Sequence, residues 1–519
     1  MSYYVELHRG LWRVRVQSPS DKKKYVPYTR NDDGERFASE EEADEFGRYQ
    51  VALIKRGKWL DPKAPKITFE EWAAIWYAGL ALEPSTMRKY LILLERHLIP
   101  VWGHRTLASI TAQEMAPWER NIVRADYAER TAYDCRSLLI TILNAAVPVH
   151  IPLNPALRPR GTGKKATRRV ARALKEEKPW TTPLQALLVA ERAALLAGDM
   201  DVFAMLVTKA WTGMRWSEVL GVRPESLLPG QMLHVKWKLY ELGGFYWGYP
   251  KDGSIRKIHL PPFLHTLLTE LAKRARACGC SGRDKALPAV DGEESVEWCP
   301  GRRALFLTSS GSHYGRGDFS DVMRPAADGF YPARTGRRAR PPRPVVVQVG
   351  GGDQGDAMPF PGRPLRPAWP YAARPPEMAW AWEPIPEEFV MPRRRGQWSF
   401  DRDDDASRQI ATWLPLVPGL TPHGMRHGHQ TWMDDAGIRS SLKKARMGHE
   451  DASMSALYGH ITEGMVTDLL DLLEGLWESA VQERFQIHPR SPVPLLDRWM
   501  EPWRAGTASA TVTPIRRAG

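Results

Sequence analysis

The sequence predicts an α+β protein, mainly helical, made of several domains. Its 519 residues exceed one ordinary domain, and 43% hydrophobic residues are enough for more than one core. Residues 1–60 begin with strand-like alternation, and residues 66–157 carry apolar residues at helical spacing. Residues 175–482 mix helical patterns with a strand region around 231–260. We therefore expect three folded domains.

The N-terminal stretch predicts a small three-stranded sheet with one helix. In LWRVRVQ, Trp12, Val14 and Val16 fall on one face of a strand, and the alternate residues fall on the other. Ser39 followed by Glu42 forms a capping-box pattern, so a helix should begin there.

The second domain reads as a bundle of helices. Thr68 with Glu71 is a capping-box pattern and predicts a helix start. A second helix follows Pro84 and should stop at Pro100, because proline lacks the backbone N–H that a helix interior needs. A further helix should cover residues 129–146.

The rest of the chain predicts a linker, a large mixed domain and a tail. Residues 158–174 form a basic linker. In the mixed domain, the Asp-Gly pair at 252–253 predicts a hairpin turn. Residues 328–400 are rich in Pro, Gly, Arg and Trp without clear periodicity, which predicts an insertion. Residues 483–519 predict a flexible tail.

The net charge indicates what kind of partner the protein binds, and the cysteine content indicates its cellular compartment. The net charge of +13 favours a polyanion such as nucleic acid, although a basic surface alone would give the same value. Four cysteines are too few for a disulfide-stapled secreted protein. The start MSYYVELHRG has no signal-peptide pattern, and no apolar run approaches a transmembrane length. We expect a cytoplasmic protein with no membrane partner.

The stretch TPHGMRHGHQ places three histidines and an arginine within residues 423–430. A zinc site was one possible interpretation, because His423 and His427 are four residues apart. A HExxH site would need glutamate at position 424, where the chain has glycine. The pattern H-x-x-R at 423–426 is therefore the more informative one.

This pattern is one of five that follow each other along the chain. TGMRWSEVLGV comes first, then YPKDGSIRKIHLP, H-x-x-R, and a Gly-His pair with a tyrosine nine residues later. Each alone occurs by chance in many proteins, but their order within one domain is specific. The candidate catalytic residues are Arg215, Lys251, His423, Arg426, His449 and Tyr458.

In these motifs the chain resembles the tyrosine recombinase (phage integrase) family. The resemblance implies a site-specific DNA recombinase that cuts and rejoins strands through a 3′-phosphotyrosine intermediate and a Holliday junction, without a cofactor. It also implies a catalytic domain at 175–482. Residues 66–157 are similar to the family's helical core-binding domain, and residues 1–60 to its arm-type DNA-binding domain. The implied partners are double-stranded attachment-site DNA, three further copies in a tetramer, and an excisionase or DNA-bending factor.

The chemistry explains these residue types. Two arginines supply planar, bidentate donors to the two non-bridging oxygens of a phosphodiester, and we assign this clamp to Arg215 and Arg426. In the family a lysine protonates the leaving 5′-oxygen, which corresponds to Lys251, with Lys236, Lys238 and Lys257 as rivals. A histidine handles the tyrosine proton, which corresponds to His423, while His449 contacts the phosphate and Tyr458 attacks it. Glu218 is expected to orient Arg215; a plain surface ion pair was the alternative.

Further residues carry weaker predictions. Five could contact DNA phosphates, although a solvated surface explains them equally well: Ser85, Arg88, Lys89, Lys164 and Lys165. A structural zinc site is a minor possibility, with an irregular spacing: Cys278, Cys280, Cys299 and His313. His427 is expected to be a structural hydrogen-bonding residue, and His429 to face either solvent or the core.

Three other functions stay open at this stage. A type IB topoisomerase uses similar chemistry, but the added N-terminal domains argue against it. A catalytically inactive DNA-binding protein would not need the full residue set. A metal-dependent nuclease would need clustered acids, and RDDDAS at 402–407 reads better as a solvated acidic run. The helix after Tyr458 carries an apolar stripe that could dock on a neighbouring subunit or on its own domain.

Overall fold

A computed structural model describes most of the chain. The described residues are 2–18, 23–31, 34–56, 67–125, 127–158, 178–250, 254–280, 296–299, 301–333, 343–348, 410–413, 415–449, 460–487, 489–491 and 493–506. The chain divides into two compact units, one mainly Met1–Lys175 and the other Glu176–Lys285 with Glu293–Gly519. Among the described helices, none combines the length and apolar character that crossing a membrane requires.

The N-terminal part of the first unit is a sheet covered by one helix, as predicted. Antiparallel strands β1 (Tyr3–His8), β2 (Leu11–Gln17) and β3 (Tyr25–Tyr28) lie in the order β1-β2-β3. Helix α1 (Glu40–Lys55) begins where Ser39 Oγ accepts a hydrogen bond from the Glu42 backbone. Its Phe46 packs in one core with Val14 and Val16 of β2.

A second core in this unit is entirely helical. The predicted Thr68–Glu71 capping box forms, and Thr68 starts the first helix. Thr111 and Glu114 form a second capping box. The α-helices are α2 (Phe69–Ala78), α3 (Pro84–Leu93), α4 (Ile99–Trp102), α5 (Met115–Arg124) and α6 (Glu129–Ala146). Short 3-10 turns at Leu107–Ser109 and Ala112–Glu114 connect α4 to α5.

The prediction that the helix stops at Pro100 is wrong. A π-helical turn, Leu94–Leu98, follows α3 and leads directly into α4. Pro100 therefore falls in the first turn of a new helical segment, where the missing N–H is not needed.

The second unit is built around two buried helices, α7 (Pro183–Ala197) and α8 (Asp201–Thr212). Every residue from Val202 to Thr212 is buried, so this helix has no solvated face. Around the pair lie α9 (Trp216–Leu220), α10 (Pro262–Lys273), α11 (Arg316–Asp328), α12 (Pro422–Asp435) and α13 (Ser440–Met447). A 3-10 turn, Pro224–Ser226, follows α9.

Two three-stranded antiparallel sheets flank these helices. One has the order β4-β5-β8, from β4 (Leu227–Leu228), β5 (Met232–Val235) and β8 (Arg256–His259). The other has the order β10-β7-β6, from β6 (Lys238–Glu241), β7 (Phe245–Gly248) and β10 (Val296–Trp298). Strands β7 and β8, on either side of 252–253, belong to different sheets and do not pair with each other. The predicted turn itself lies outside the described residues.

Short strand pairs complete the sheets among the described residues. Strand β9 (Arg276–Ala277) pairs with β11 (Arg303–Ala304), and β12 (Phe330–Tyr331) pairs with β13 (Arg343–Pro344). Strand β14 (Val346–Gln348) pairs with β15 (Ile410–Thr412). Strands β12, β13 and β14 fall within the predicted insertion, 328–400, whereas residues 334–342 and 349–409 lie outside the described residues.

Two helices close the second unit. Helix α14 (Glu463–Ile487) packs on its own unit, where its Leu473 carbonyl accepts from Trp211 Nε1 at 3.1 Å and Trp477 stacks on Phe263. Helix α15 (Pro494–Arg504) buries Leu496 and Met500. The prediction of a flexible tail is therefore wrong for the described residues between 483 and 506. They include the end of α14 and all of α15, whose apolar face packs into the core.

Candidate active site

The site is assembled at the end of α8, where the chain must turn sharply. Gly213 has φ +66°, and a Cβ there would lie 2.6 Å from the His429 ring and 2.7 Å from Met447 Sδ. Only glycine fits this close approach. The turn brings Arg215 to the start of α9, where its backbone N–H donates to Glu218 Oε2 at 2.9 Å.

Glu218 is a fully buried carboxylate that holds two arginines. Its Oε1 accepts from Arg215 Nη1 at 2.8 Å, and its Oε2 accepts from Arg256 Nη2 at 2.9 Å. Burial by itself raises the pKa of Glu218, but the charges and hydrogen bonds of Arg256 and Arg215 outweigh it and lower that pKa to about 2. Glu218 is therefore ionised at neutral pH and fixes Arg215, which is not the surface ion pair considered as the alternative.

Arg215 is the partly exposed member of the cluster. Its Nη1 also donates to Ser254 Oγ at 3.1 Å, and its Nη2 to the Gly448 carbonyl at 3.4 Å. With 28% of the side chain accessible, Arg215 is anchored on one edge and open to a ligand from solvent.

Arg426 enters the same site from α12. Its Nη1 donates to the Gly213 carbonyl and its Nη2 to the Met447 carbonyl, both at 2.6 Å. Burial, with Arg215 and Arg256 nearby, lowers the pKa of Arg426 to about 10. Arg426 is still cationic at neutral pH, and its orientation is fixed by backbone atoms.

His449 lies directly after α13, with an exposed side chain. Gly448 ends that helix with φ +64°, and a Cβ there would meet Arg256 Nη1 at 2.8 Å. His449 Nε2 lies 2.9 Å from Arg426 Nη2. Partial burial, with Arg426 and Arg215 nearby, lowers the pKa of His449. The neutral ring accepts from Arg426, and the structure thus brings Arg215, Arg426 and His449 together.

His423 stands one helical turn before Arg426 on α12, with His427 edge-on at 4.6 Å between ring centroids. Burial lowers its pKa to about 4, with contributions from His427, Lys209 and Arg426. His423 is therefore neutral at physiological pH and can accept a proton. His427 Nε2 is buried without a hydrogen-bond partner among the described residues, so the expected structural hydrogen bond is not found at this nitrogen.

Three buried cations in this region were not among the sequence predictions. Arg446 donates through Nε to His429 Nε2 at 3.0 Å and through Nη2 to the Trp211 carbonyl. Lys209 donates to the Met214 carbonyl at 2.9 Å, and burial lowers its pKa to about 7. Arg256 donates through Nη2 to Glu218 Oε2 and through Nε to the Arg446 carbonyl.

These groups could not be found from motif spacing. His429 is fully buried, so of the two environments expected for it, solvent and core, the structure shows the core. Arg256 begins the strand Arg256–His259, where two basic residues stand in succession, and Arg446 is in a basic helix turn; both patterns equally describe solvated surfaces.

Four of the predicted catalytic and DNA-contacting residues are not described by the structure. Lys251, Tyr458, Lys164 and Lys165 lie outside the described residues. Of the rival lysines, Lys236 and Lys238 lie over the rings of Trp237 and Tyr240, and Lys257 is exposed on β8.

The other DNA-contact candidates are in the first unit. Ser85, Arg88 and Lys89 are exposed at the start of α3, and Lys89 forms a 2.8 Å salt bridge with Asp134. This surface pair leaves the ammonium half exposed.

The chain was compared with protein-family models, curated proteins and solved structures, and only solved structures match. No family model and no curated protein matches the chain. The structure of the Tn1549 transposon integrase in complex with transposon right end DNA matches at 16% identity and a TM-score of 0.43, over 79% of this chain and 100% of that one.

Two further structures match over most of the chain. A lambda integrase tetramer bound to a Holliday junction matches at 12% identity and a TM-score of 0.40, covering 89% of this chain and 96% of that one. XerA recombinase matches at 12% identity and a TM-score of 0.24, covering 80% of this chain and 97% of that one. All three are tyrosine recombinases. At these identities the likeness does not extend to individual side chains.

Proposed function

We propose that this protein is a site-specific tyrosine recombinase, an integrase of a phage or mobile element. It cuts and rejoins DNA through a 3′-phosphotyrosine intermediate and a Holliday junction. The observation that carries the proposal is the convergence of Arg215, Arg426 and His449 on one site with unbalanced positive charge.

The charge balance of the site favours an anion. Of four guanidinium groups in the site, only those of Arg215 and Arg256 bond to the Glu218 carboxylate. Those of Arg426 and Arg446 donate to neutral acceptors, the Gly213 carbonyl and His429 Nε2 among them. Burial and the neighbouring guanidinium of Arg256 lower the pKa of Arg446 to about 9. A bound phosphate relieves this repulsion, because an opposite charge nearby favours the charged form of each arginine.

The geometry suits a phosphodiester. Arg215 and Arg426 are each held on one side by protein acceptors, so they are oriented before the ligand arrives. A non-bridging phosphate oxygen would replace the direct 2.9 Å contact between Arg426 Nη2 and His449 Nε2. The two side chains would separate to admit it, Arg426 would donate to it, and His449 would donate in the form that carries a proton on Nε2. Donors fixed in advance in this way stabilise the charge that develops in the transition state.

Tyr458 is the proposed nucleophile and Lys251 the proposed general acid. Tyr458 follows His449 by nine residues, and Lys251 precedes by three residues Ser254, whose Oγ accepts from Arg215. A free tyrosine has a pKa near 10 and needs a base. His423, neutral at pH 7, is the proposed base that accepts the hydroxyl proton. Glu218 positions Arg215 and does not touch DNA.

The proposed partners follow from the reaction. The substrate is double-stranded attachment-site DNA, on which four copies of the chain act together. An excisionase or a DNA-bending factor would set the direction of the reaction. The net charge of +13 supports binding to the phosphate backbone, and Ser85, Arg88, Lys89, Lys164 and Lys165 are the proposed phosphate contacts.

A covalent adduct tests the proposal. Labelled duplexes from the DNA flanking the gene, nicked near the candidate cleavage positions, are mixed with the protein without added metal. We expect a protein–DNA adduct that survives denaturation and is lost in Tyr458→Phe. An adduct that persists in that variant would place the nucleophile elsewhere. No adduct on DNA that the protein binds would favour an inactive DNA-binding protein.

A further inference from the structure

Three of the four cysteines of the chain meet at one point, far in sequence from the catalytic motifs. The Sγ atoms of Cys278, Cys280 and Cys299 all lie within 4.8 Å of one another. His313 Nε2 lies 2.8 Å from Cys299 Sγ. Cys278, Cys299 and His313 are buried and Cys280 is half buried. Three thiols therefore lie within reach of one another, and the His313 imidazole adjoins this group at Cys299.

The backbone fixes these side chains from three separate segments. Cys278 and Cys280 follow β9, Cys299 follows β10, and His313 is in the loop before α11. The Cys278 N–H donates to the Arg302 carbonyl at 2.8 Å, and the Gly279 N–H to the Gly311 carbonyl at 2.9 Å. The cluster is thus held by main-chain hydrogen bonds that do not depend on the thiols.

The donor set is the one that zinc prefers. Structural zinc sites are tetrahedral with four Cys or His ligands and Zn–S distances of about 2.3 Å, which places bound sulfurs about 3.8 Å apart. The observed limit of 4.8 Å between the sulfurs accommodates that spacing. Insertion of the ion would widen the Sγ–Nε2 contact of Cys299 and His313 from 2.8 Å to about 3.6 Å.

The Cys278 sulfur is already held by the main chain. The Cys280 backbone N–H donates to Cys278 Sγ at 3.4 Å. Zinc binds cysteine as thiolate, so three deprotonated sulfurs and one imidazole would hold the ion.

We propose that Cys278, Cys280, Cys299 and His313 bind one zinc ion in a closed structural site. All four positions are protein ligands, so no open position is left for substrate or water. Binding deprotonates the thiols that are still protonated and releases those protons to solvent. The ion ties the β9–β11 pair and the edge of the β10-β7-β6 sheet to the loop that enters α11. It stabilises the second unit and takes no part in DNA cleavage.

Two alternatives predict different results. Buried cysteines can be ordinary small apolar residues, which would bind no metal. Two of the three thiols could also form a disulfide, although all four cysteines are free in the structure. Both alternatives are outcomes of the same measurement.

The test is the metal content of the full-length protein, purified without chelators and measured by atomic emission. We expect about one zinc per chain, displaced by a thiol-modifying mercurial, and Co²⁺ reconstitution that gives the visible bands of a tetrahedral thiolate site. Cys280→Ser and His313→Gln should each lower the zinc content severalfold and lower the thermal midpoint. Cys135→Ser is the matched control, because Cys135 is buried in the first unit, and it should keep its zinc.

The half-buried Cys280 keeps the test valid if a buried ligand variant fails to fold. Less than about a tenth of an equivalent of metal after reconstitution would refute the site, as would equal zinc in Cys280→Ser and Cys135→Ser. Intact mass that shows the loss of two hydrogens in the wild type would establish a disulfide instead. DNA cleavage is not read out, so failure here leaves the proposed recombinase function untouched.

Discussion

Replacing Glu218 with glutamine removes the negative charge at the centre of the cationic cluster. The carboxylate accepts from Arg215 and Arg256 and is fully buried. The amide keeps the shape but turns one acceptor into a donor that faces a guanidinium. Lowering the pKa from 4.5 to about 2 corresponds to about 3 kcal/mol, since one pKa unit is about 1.4 kcal/mol. We expect E218Q to lower the free energy of unfolding by about that amount at neutral pH.

The effect of E218Q on the free energy of unfolding should depend on pH. A carboxylate whose pKa is lowered on folding stabilises the native state above its unfolded pKa, and that contribution is lost as the pH falls through the native pKa. The difference between wild type and E218Q should therefore be largest above about pH 5 and shrink towards pH 2. Urea unfolding at several pH values measures it, followed by tryptophan fluorescence, to which Trp211 and Trp413, both buried in the second unit, contribute.

Glu225→Gln is the matched control, because Glu225 is exposed in the same unit. It should change stability by less than about 0.5 kcal/mol. An E218Q protein as stable as this control at neutral pH would refute the buried ion-pair network, and so would a difference that grows as the pH falls. Because Arg215 loses its anchor, E218Q should also form the covalent DNA adduct more slowly than Glu225→Gln.

Three further predictions concern separate parts of the second unit. Arg426→Lys loses the planar fork and should slow adduct formation about 100-fold or more while duplex binding in a gel-shift assay falls far less; equal losses in both would mean a DNA-binding role only. His429→Gln should flatten the loss of stability as the pH falls below about 6.5. The native ring is neutral, since burial holds its pKa well below 6.5, and unfolding lets it bind a proton; an unchanged slope in urea titrations would contradict this. Leu473→Ala should cost about 2–5 kcal/mol in urea unfolding because Leu473 is fully buried, whereas the exposed Ile461→Ala should be nearly neutral; similar losses would argue against α14 packing on its own unit.

Local chemistry made much of the fold predictable. The capping patterns at Ser39 and Thr68 gave helix starts that the structure confirms, because a cap is an interaction within four residues. The alternation that buries Val14 and Val16 is equally local. Errors arose where distant contacts decide. A π turn carries the helix past Pro100, and strand pairing with β5 and β6 separates the two strands around 252–253.

The site was predictable only in part, for a similar reason. Motif order singled out Arg215, Arg426 and His449, which the structure brings together. Arg256 and Arg446 have no distinctive spacing, and their roles come from tertiary contacts with Glu218 and His429. The roles of Lys251 and Tyr458 stay predictions from sequence.

Peptide mapping of the covalent adduct tests the central claim most directly. The adduct formed on a nicked duplex is digested with protease and nuclease, and the modified peptide is sequenced by mass spectrometry. The proposed mechanism predicts a 3′-nucleotide attached through phosphate to Tyr458, within the peptide that follows His449. A nucleotide on any other side chain, or a linkage to the 5′ end of the cut strand, would contradict the assignment of the nucleophile and the strand-exchange chemistry derived from it.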